Sequence, residues 1–314
     1  QRRRAPAQLA QDLRDGTLGS SMSLARLLRD VSPREFVEKY LHRIPLPQPG
    51  AAAEFAPLGS WETIERVLAS GGAPDVVVVK DNRRVEDGSP LTIERARQRN
   101  AEGCTVSIRH VERHDERIAA LAADLERELG GGVNVHLYCT PPGGHGFAWH
   151  YDAEDVFILQ TRGAKDYSLR KNTIHPWPVV ESMPADLHYE RERSPRLECR
   201  LGAGDFLYLP AGYWHRAQGA GDADSISLAI GVLFRTGVDA FDCLRRWVVA
   251  SLVWRQRLPL LGEANELSEP ELVARYATLL ADLGKDAADT MRNPEFVRDF
   301  IAGLRRQPAP AAAE

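Results

Sequence analysis

Cysteine is scarce and scattered. The chain has four in 314 residues, at Cys104, Cys139, Cys199 and Cys243, with no Cys-x-x-Cys pair, which excludes a zinc cluster of linked thiolates and gives no disulfide framework. Reduced thiols in a cytoplasmic protein are the simplest expectation. Long apolar runs are also missing. No stretch approaches the length needed to span a bilayer, and the N-terminal arginines are followed by no apolar signal core, so no membrane partner is expected. Nor does either charge dominate: a net charge of −4 argues against phosphate-driven binding of nucleic acid. The basic stretches Arg2-Arg3-Arg4, Arg191-Glu-Arg193 and Arg245-Arg246 are short and read as solvated faces. What remains is a chain with 43% apolar residues, enough for a catalytic domain with an accessory part. No internal repeat is visible.

The chemistry concentrates in His150-Tyr151-Asp152 and, farther on, His215 at the end of Leu207-Tyr-Leu-Pro-Ala-Gly-Tyr-Trp-His215. Residues two apart on a strand share a face, so His150 and Asp152 can reach one metal while Tyr151 faces away. A second imidazole from His215 completes a two-histidine, one-carboxylate face. Such a face holds Fe(II) and leaves coordination positions for a cosubstrate and dioxygen. By itself His-x-Asp is common; the flanking segments strengthen it. Val156–Gln160 is an apolar run of strand length, Arg162-Gly163 reads as a turn, and Lys165–Leu169 alternates, together predicting a hairpin. Phe206–Leu209 reads as a strand stopped by Pro210 and Gly212. Ligands at strand ends suit the mouth of a double-sheet jelly roll.

Six ordered blocks and their spacing over residues 102 to 232 carry a resemblance: Tyr138-Cys-Thr-Pro-Pro-Gly143, Gly146-Phe-Ala-Trp-His-Tyr-Asp152, Asp155-Val-Phe-Ile-Leu-Gln160, Gly163-Ala-Lys165, Gly204-Asp-Phe-Leu-Tyr-Leu-Pro210 and Gly212-Tyr-Trp-His215. This stretch resembles the JmjC branch of the cupin superfamily, and within it the ribosomal-oxygenase group. The resemblance implies a mainly β fold with α additions: a double-stranded β-helix core with a helical N-terminal lead-in and a helical C-terminal region. It also implies a 2-oxoglutarate-dependent Fe(II) oxygenase with His150, Asp152 and His215 as ligands. Lys165, placed opposite Gln160 if the hairpin turns at Gly163, is expected to neutralise the far carboxylate of 2-oxoglutarate, where family members carry Lys or Arg. The family often has Asn where this chain has His136; Asn134 lies one pleat away, and either can contribute to cosubstrate binding. A polar side chain from the strand Ser225–Gly231 is expected there too, with Ser227 preferred over Ser225.

The resemblance departs at Trp149, where relatives commonly have Pro. With Phe147, Tyr151, Trp177, Tyr213 and Trp214 it offers aromatic surface for the mouth or the core. His145 and His175 are candidates for the rim, and the other unpaired histidines, His110 among them, read as surface residues.

Three parts follow. Residues 1–100 form a lead-in packing on the barrel, with a helix from Pro33 to Leu41 capped by Ser32, a Pro-rich break at Pro45–Pro49, a helix at Trp61–Ala69 and a strand at Val76–Val79. Residues 101–237 form the catalytic domain, including a helix through Ile118, Leu121, Leu125 and Leu129 ended by Gly130, and a Pro-rich loop from Asn172 to Arg196 expected to help select substrate. Residues 238–314 are helical. Phe241, Leu244, Trp247, Val248 and Leu252 make one apolar face, Ser268–Glu271 is a capping box and Pro294 opens a last helix to about Arg305. In the resembled group such a segment mediates dimerisation and precedes a winged helix. Here a homodimerisation element with a truncated or absent winged helix is expected. The substrate readings are a protein or peptide side chain to be hydroxylated, or a free amino acid or natural-product intermediate. Lysine demethylation differs only in the C–H bond oxidised, and a non-catalytic cupin is opposed by the intact ligand set.

Overall fold

A computed structural model describes residues 23–86, 90–184, 186–262 and 266–306. They fall into two compact units, one ending at Phe234 and one beginning at Arg235.

The first unit opens with α1 (Ser23–Leu28) and α2 (Pro33–Lys39), β1 (Leu46–Gln48), a 3-10 turn Ala53–Leu58, α3 (Trp61–Leu68), β2 (Asp75–Lys80), β3 (Arg83–Val85) and α4 (Ile93–Ala101). Then come β4 (Thr105–Arg109), α5 (Glu116–Leu129), β5 (Gly132–Thr140), β6 (Asp155–Arg162), β7 (Ala164–Arg170), β8 (Arg196–Leu201), β9 (Phe206–Leu209), β10 (Trp214–Ala220) and β11 (Ser225–Leu233). Eight strands form one sheet in the order β1-β9-β6-β11-β5-β4-β2-β3, and β10-β7-β8 form a second. This is the expected jelly-roll core with helical additions.

The capping residues act as their chemistry dictates. The Ser32 hydroxyl accepts from Glu35 N–H at the start of α2, Asp115 accepts from Arg117 and Ile118 N–H at the start of α5, and Gly130 ends α5 in a left-handed conformation. One face of the large sheet meets these helices. Val135, Leu137 and Cys139 of β5 pack with Ile118, Leu121 and Leu125 of α5, and Phe36 sits edge-on to Tyr208 at 4.9 Å. Each such fully buried apolar side chain contributes roughly 1.5–3 kcal/mol. The alternate residues of β5, among them His136, Tyr138 and Thr140, line a cavity on the other face.

Two expectations need correction. The Pro45–Pro49 segment is not a plain break: Leu46, Pro47 and Gln48 pair with Tyr208, Leu207 and Phe206, so it is an edge strand, where a proline costs no central ladder bond. Nor do β6 and β7 form a hairpin. Gly163 carries the chain from one sheet to the other with φ +63, and a Cβ there would meet the Asp224 carbonyl oxygen at 2.4 Å. Lys165 therefore sits opposite Gly219 and Leu201, not Gln160.

The second unit holds α6 (Asp239–Val248), α7 (Glu269–Arg292) and α8 (Pro294–Arg306). Ser268 and Glu271 form the capping box of α7. Cys243, Leu244, Val248 and Phe296 make its small core. Phe241 and Leu252, expected on the same apolar face, are instead 68% and 77% exposed. Leu252 lies beyond the end of α6, so helical periodicity no longer applies to it.

Candidate metal centre and cosubstrate pocket

His150 and Asp152 precede β6 rather than lying within a strand, and another device joins them to His215. His150 N–H donates to the His215 carbonyl at 3.1 Å and His215 N–H donates back at 2.8 Å, a single antiparallel bridge. Gly212 N–H donates to the Asp152 carbonyl at 2.8 Å. The Pro210–Gly212 turn before His215 is fixed by the buried Asp155 carboxylate, which takes Ala211 N–H at 2.5 Å and the Tyr208 hydroxyl at 3.0 Å.

The bridge sets the two imidazoles 4.2 Å apart, centroid to centroid. Nδ1 of His150 lies 2.8 Å from the Ala148 carbonyl and Nδ1 of His215 lies 3.0 Å from that of Tyr213. A carbonyl can only accept, so each Nδ1 carries the proton and each Nε2 keeps a free lone pair. Nε2 of His215 is 3.5 Å from Oδ2 of Asp152, and the ligating atoms of all three residues lie within 4.8 Å of one another. Donors about 2.1 Å from one ion on an octahedral face stand about 3 Å apart, so this set fits a divalent transition metal. Burial, then the neighbouring His150, hold the His215 imidazole below its ordinary range and keep it in the neutral, ligating form.

The three residues line a cavity of about 790 Å³ between the two sheets. Lys165 enters it from β7. The side chain is 5% exposed, and its Nζ donates to the Ser227 hydroxyl at 3.0 Å and lies 5.4 Å from the Tyr138 ring centre. Burial pushes its pKa down to about 8. Among the described residues no carboxylate lies within ion-pair distance, so an anionic group entering the cavity would supply the missing partner. That fits a 2-oxoglutarate carboxylate. Ser225, the alternative, is held elsewhere by the Gln160 amide at 2.8 Å.

His136 also faces the cavity. Its Nδ1 accepts from His110 N–H at 3.3 Å, which leaves Nε2–H as a donor toward the cavity. Burial, then His110, push its pKa down to about 4, so it is a neutral donor, as an asparagine amide would be. Asn134 is turned aside: its amide donates to Oε1 of Glu154 at 2.6 Å. Burial, reinforced by Asp152, raises the Glu154 carboxyl to about 7.

The rim differs from the sequence reading. Of the six aromatic residues named, Phe147 lines the cavity; Tyr151 and Trp214 are buried edge-on to each other at 4.7 Å and, like the buried Tyr213, are absent from its lining, and Trp177 is 82% exposed. Trp149 stacks on Tyr189 with ring centres 4.1 Å apart, tying the 172–196 loop to the ligand segment. His145 and His175 are absent from the lining, which His110 joins instead. Val180 and Met183 bring the loop to the cavity. Glu192 organises that loop: its carboxylate accepts from the N–H groups of Thr173, Arg193 and Ser194 and from the Thr173 hydroxyl. Although burial alone would raise it, the backbone bonds from Ser194 and Thr173 bring its pKa to about 2. Tyr138, Tyr167, Arg109 and Glu154 are lining residues that the sequence reading missed as site residues. Tyr138 was visible in the Tyr-x-Thr-Pro block, but the others needed the strand register.

Residues 110–239 match the JmjC domain. The bifunctional lysine-specific demethylase and histidyl-hydroxylase NO66 of Dictyostelium discoideum is 33% identical over 129 residues, 41% of this chain and 25% of that protein. Ribosomal oxygenase 1 of Gallus gallus is 27% identical over 311 residues, 90% of this chain and 51% of that protein. The chain thus spans about half the length of the chicken relative and less of the other. Of solved structures, an X-ray structure of E. coli ycfD matches with TM-score 0.54 at 16% identity, covering 90% of this chain and 74% of that one. A second structure of YcfD, described as a ribosomal oxygenase from Escherichia coli, gives 0.52 at 16%, covering 88% and 71%. These structural likenesses show the fold.

Proposed function

We propose that this chain, residues 110–239 of which match the JmjC domain and which is similar to ribosomal oxygenase 1, is an Fe(II)- and 2-oxoglutarate-dependent oxygenase that hydroxylates a C–H bond of a protein or peptide side chain. The observation that carries this reading is the joint presence, in one cavity, of three ligating atoms within 4.8 Å and a buried ammonium with no carboxylate partner among the described residues. His150, Asp152 and His215 would hold the iron, and Lys165 with Ser227 would take the distal carboxylate of 2-oxoglutarate. When bound, iron with 2-oxoglutarate and dioxygen supplies the oxidation of a C–H bond coupled to decarboxylation of 2-oxoglutarate to succinate.

The chain's own residues do the positioning. The Ala148 and Tyr213 carbonyls keep both imidazoles in the ligating tautomer, and the backbone bridge fixes their separation before any ligand arrives. Lys165 lies deep enough to meet its carboxylate away from water, where a charge-assisted bond is strongest. The His136 donor and the Tyr138 ring shape the space between. No side chain need act as a nucleophile or general base.

Incubation of the chain with Fe(II), 2-oxoglutarate and air, first with a peptide library and separately with free amino acids and other metabolites, tests the reading by mass spectrometry. A peptide gaining the mass of one oxygen atom, in step with succinate, is the expected product. Oxygen gain confined to the metabolites would move the substrate to that class, and loss of a methyl group from lysine would assign demethylation. Succinate formation that persists in His150→Ala and Asp152→Ala would remove the oxygenase assignment.

A further inference from the structure

The N-terminal lead-in grips the metal centre from outside, at the turn between α2 and β1. There His42 has φ +59, a left-handed conformation that few residues other than glycine adopt and that surrounding contacts must hold in place. Those contacts are specific. Nδ1 of His42 lies 2.7 Å from Oδ2 of Asp155, whose side chain is fully buried. His42 N–H donates to the Tyr208 hydroxyl at 2.8 Å, and that hydroxyl donates in turn to the same Oδ2 at 3.0 Å. The next carbonyl, of Arg43, accepts from the Tyr213 hydroxyl at 3.3 Å.

Both partners belong to the frame of the ligands. Asp155 accepts from Ala211 N–H, Gly212 N–H holds the Asp152 carbonyl, and the Tyr213 carbonyl holds Nδ1 of His215. Residues 42 and 43 therefore grip the turn that delivers His215 at two points. The direction of the His42 bond follows from its neighbours: Asp155 takes the Ala211 N–H on one oxygen and the Tyr208 hydroxyl proton on the other, so it acts as an acceptor and His42 Nδ1 is the donor. Among the described residues His42 is the one basic side chain within ion-pair distance of this carboxylate. Without it, a buried carboxylate would rest on two neutral donors, and the turn that it anchors would lose its support.

We propose that His42 is a positioning residue for the metal centre: by donating to the Asp155 carboxylate it holds the turn from Pro210 to Tyr213, and through that turn it sets His215 against Asp152. The consequence for metal affinity rests on the metal-binding reading of the site; the bracing of the turn does not. A competing role is packing alone, since the His42 ring stands edge-on to Phe234 at 4.6 Å. The two roles separate by substitution, because asparagine carries an amide nitrogen where histidine carries Nδ1, accepts a left-handed backbone and has no ring.

Co(II) titration of the full chain, followed in the visible spectrum of the bound ion, and amide hydrogen exchange at His215 in the metal-free chain test this. His42→Gly removes donor and ring from a position whose backbone glycine adopts freely. It should weaken Co(II) binding by about tenfold, alter the Co(II) spectrum and speed exchange at His215 by about tenfold. His42→Asn should bring both quantities back to within about threefold of the parent. Tyr213→Phe, which cuts the Arg43 link alone, should weaken Co(II) by about threefold, and it carries the test if His42→Gly does not fold. Ser32→Ala uncaps α2 in the same lead-in without touching Asp155; it should lower the melting temperature and leave Co(II) affinity within about twofold. Three results would overturn the proposal: unchanged affinity and exchange in His42→Gly, equal losses in His42→Gly and His42→Asn, or a loss in Ser32→Ala as large as in His42→Gly. If the parent bound no Co(II), the metal reading would fail, and exchange at His215 would still decide whether His42 braces the turn.

Discussion

The metal-binding wall and the Lys165 end of the cavity are built by opposite means. At the wall, geometry is completed by the backbone: a two-bond bridge and two carbonyls set three ligating atoms within 4.8 Å of one another. At the Lys165 end, geometry is loose and charge is the resource, one buried ammonium held by one hydroxyl. A set of fixed acceptors selects a cation, and an isolated buried cation selects an anion. Neither arrangement is needed for the fold, whose core lies mainly on the other face of the large sheet. On the proposed function, this difference is what would send the metal to the one place and the cosubstrate carboxylate to the other.

The sharpest way to break this contrast is to remove a fixed acceptor. His215→Ala or Asp152→Ala should lower metal affinity by about two orders of magnitude or more, measured by anaerobic Fe(II) titration, and abolish hydroxylation. Loss of hydroxylation with metal affinity intact would show that the wall serves something other than metal. Next in size, Lys165→Ala should weaken 2-oxoglutarate binding about 10- to 100-fold while leaving metal affinity within about twofold. Unchanged 2-oxoglutarate affinity would dismiss Lys165 from the pocket.

A subtler test uses pH. Lys165 titrates at about 8; it is charged below that value and neutral above, so 2-oxoglutarate affinity should fall as pH rises through about 8. A flat profile to pH 9 would mean that the carboxylate is held by other groups. The smallest expected effect lies at the rim. Glu192→Ala removes the acceptor of four loop bonds, and hydrogen exchange across 172–196 should reveal easier opening by about 1–3 kcal/mol. Because the folded carboxyl sits at about 2, below the ordinary glutamate value of about 4.3, this contribution is present above about pH 4.3 and fades as pH falls toward 2.

The sequence reading succeeded where local spacing was enough. The strand Phe206–Leu209 stopped by Pro210 and Gly212, and the caps at Ser32, Gly130 and Ser268, all express short-range rules, whereas His150 and Asp152, expected on one face of a strand, are brought to His215 by a long-range bridge. It failed where long-range pairing decides. That Gly163 carries the chain between sheets depends on Asp224, far away in the chain, and that Asn134 turns from the cosubstrate to Glu154 depends on the register placing it beside Gly231. His110 looked like a surface residue because nothing local announces that its N–H caps His136. Pro47 read as a breaker because an edge strand is recognisable only once its neighbour, β9, is known. The choice of Ser227 over Ser225 was open in the sequence for the same reason; Lys165 reaches the former and Gln160 occupies the latter.

The central claim is that one cavity takes a metal on its histidine wall and 2-oxoglutarate between that metal and Lys165. Calorimetric titration of the chain with 2-oxoglutarate, before and after loading with Mn(II), tests it most directly. One metal per chain and 2-oxoglutarate binding at least about tenfold tighter after metal loading is the expected result, with the gain lost in His215→Ala. Equal 2-oxoglutarate binding with and without metal, or a gain that survives His215→Ala, would contradict it.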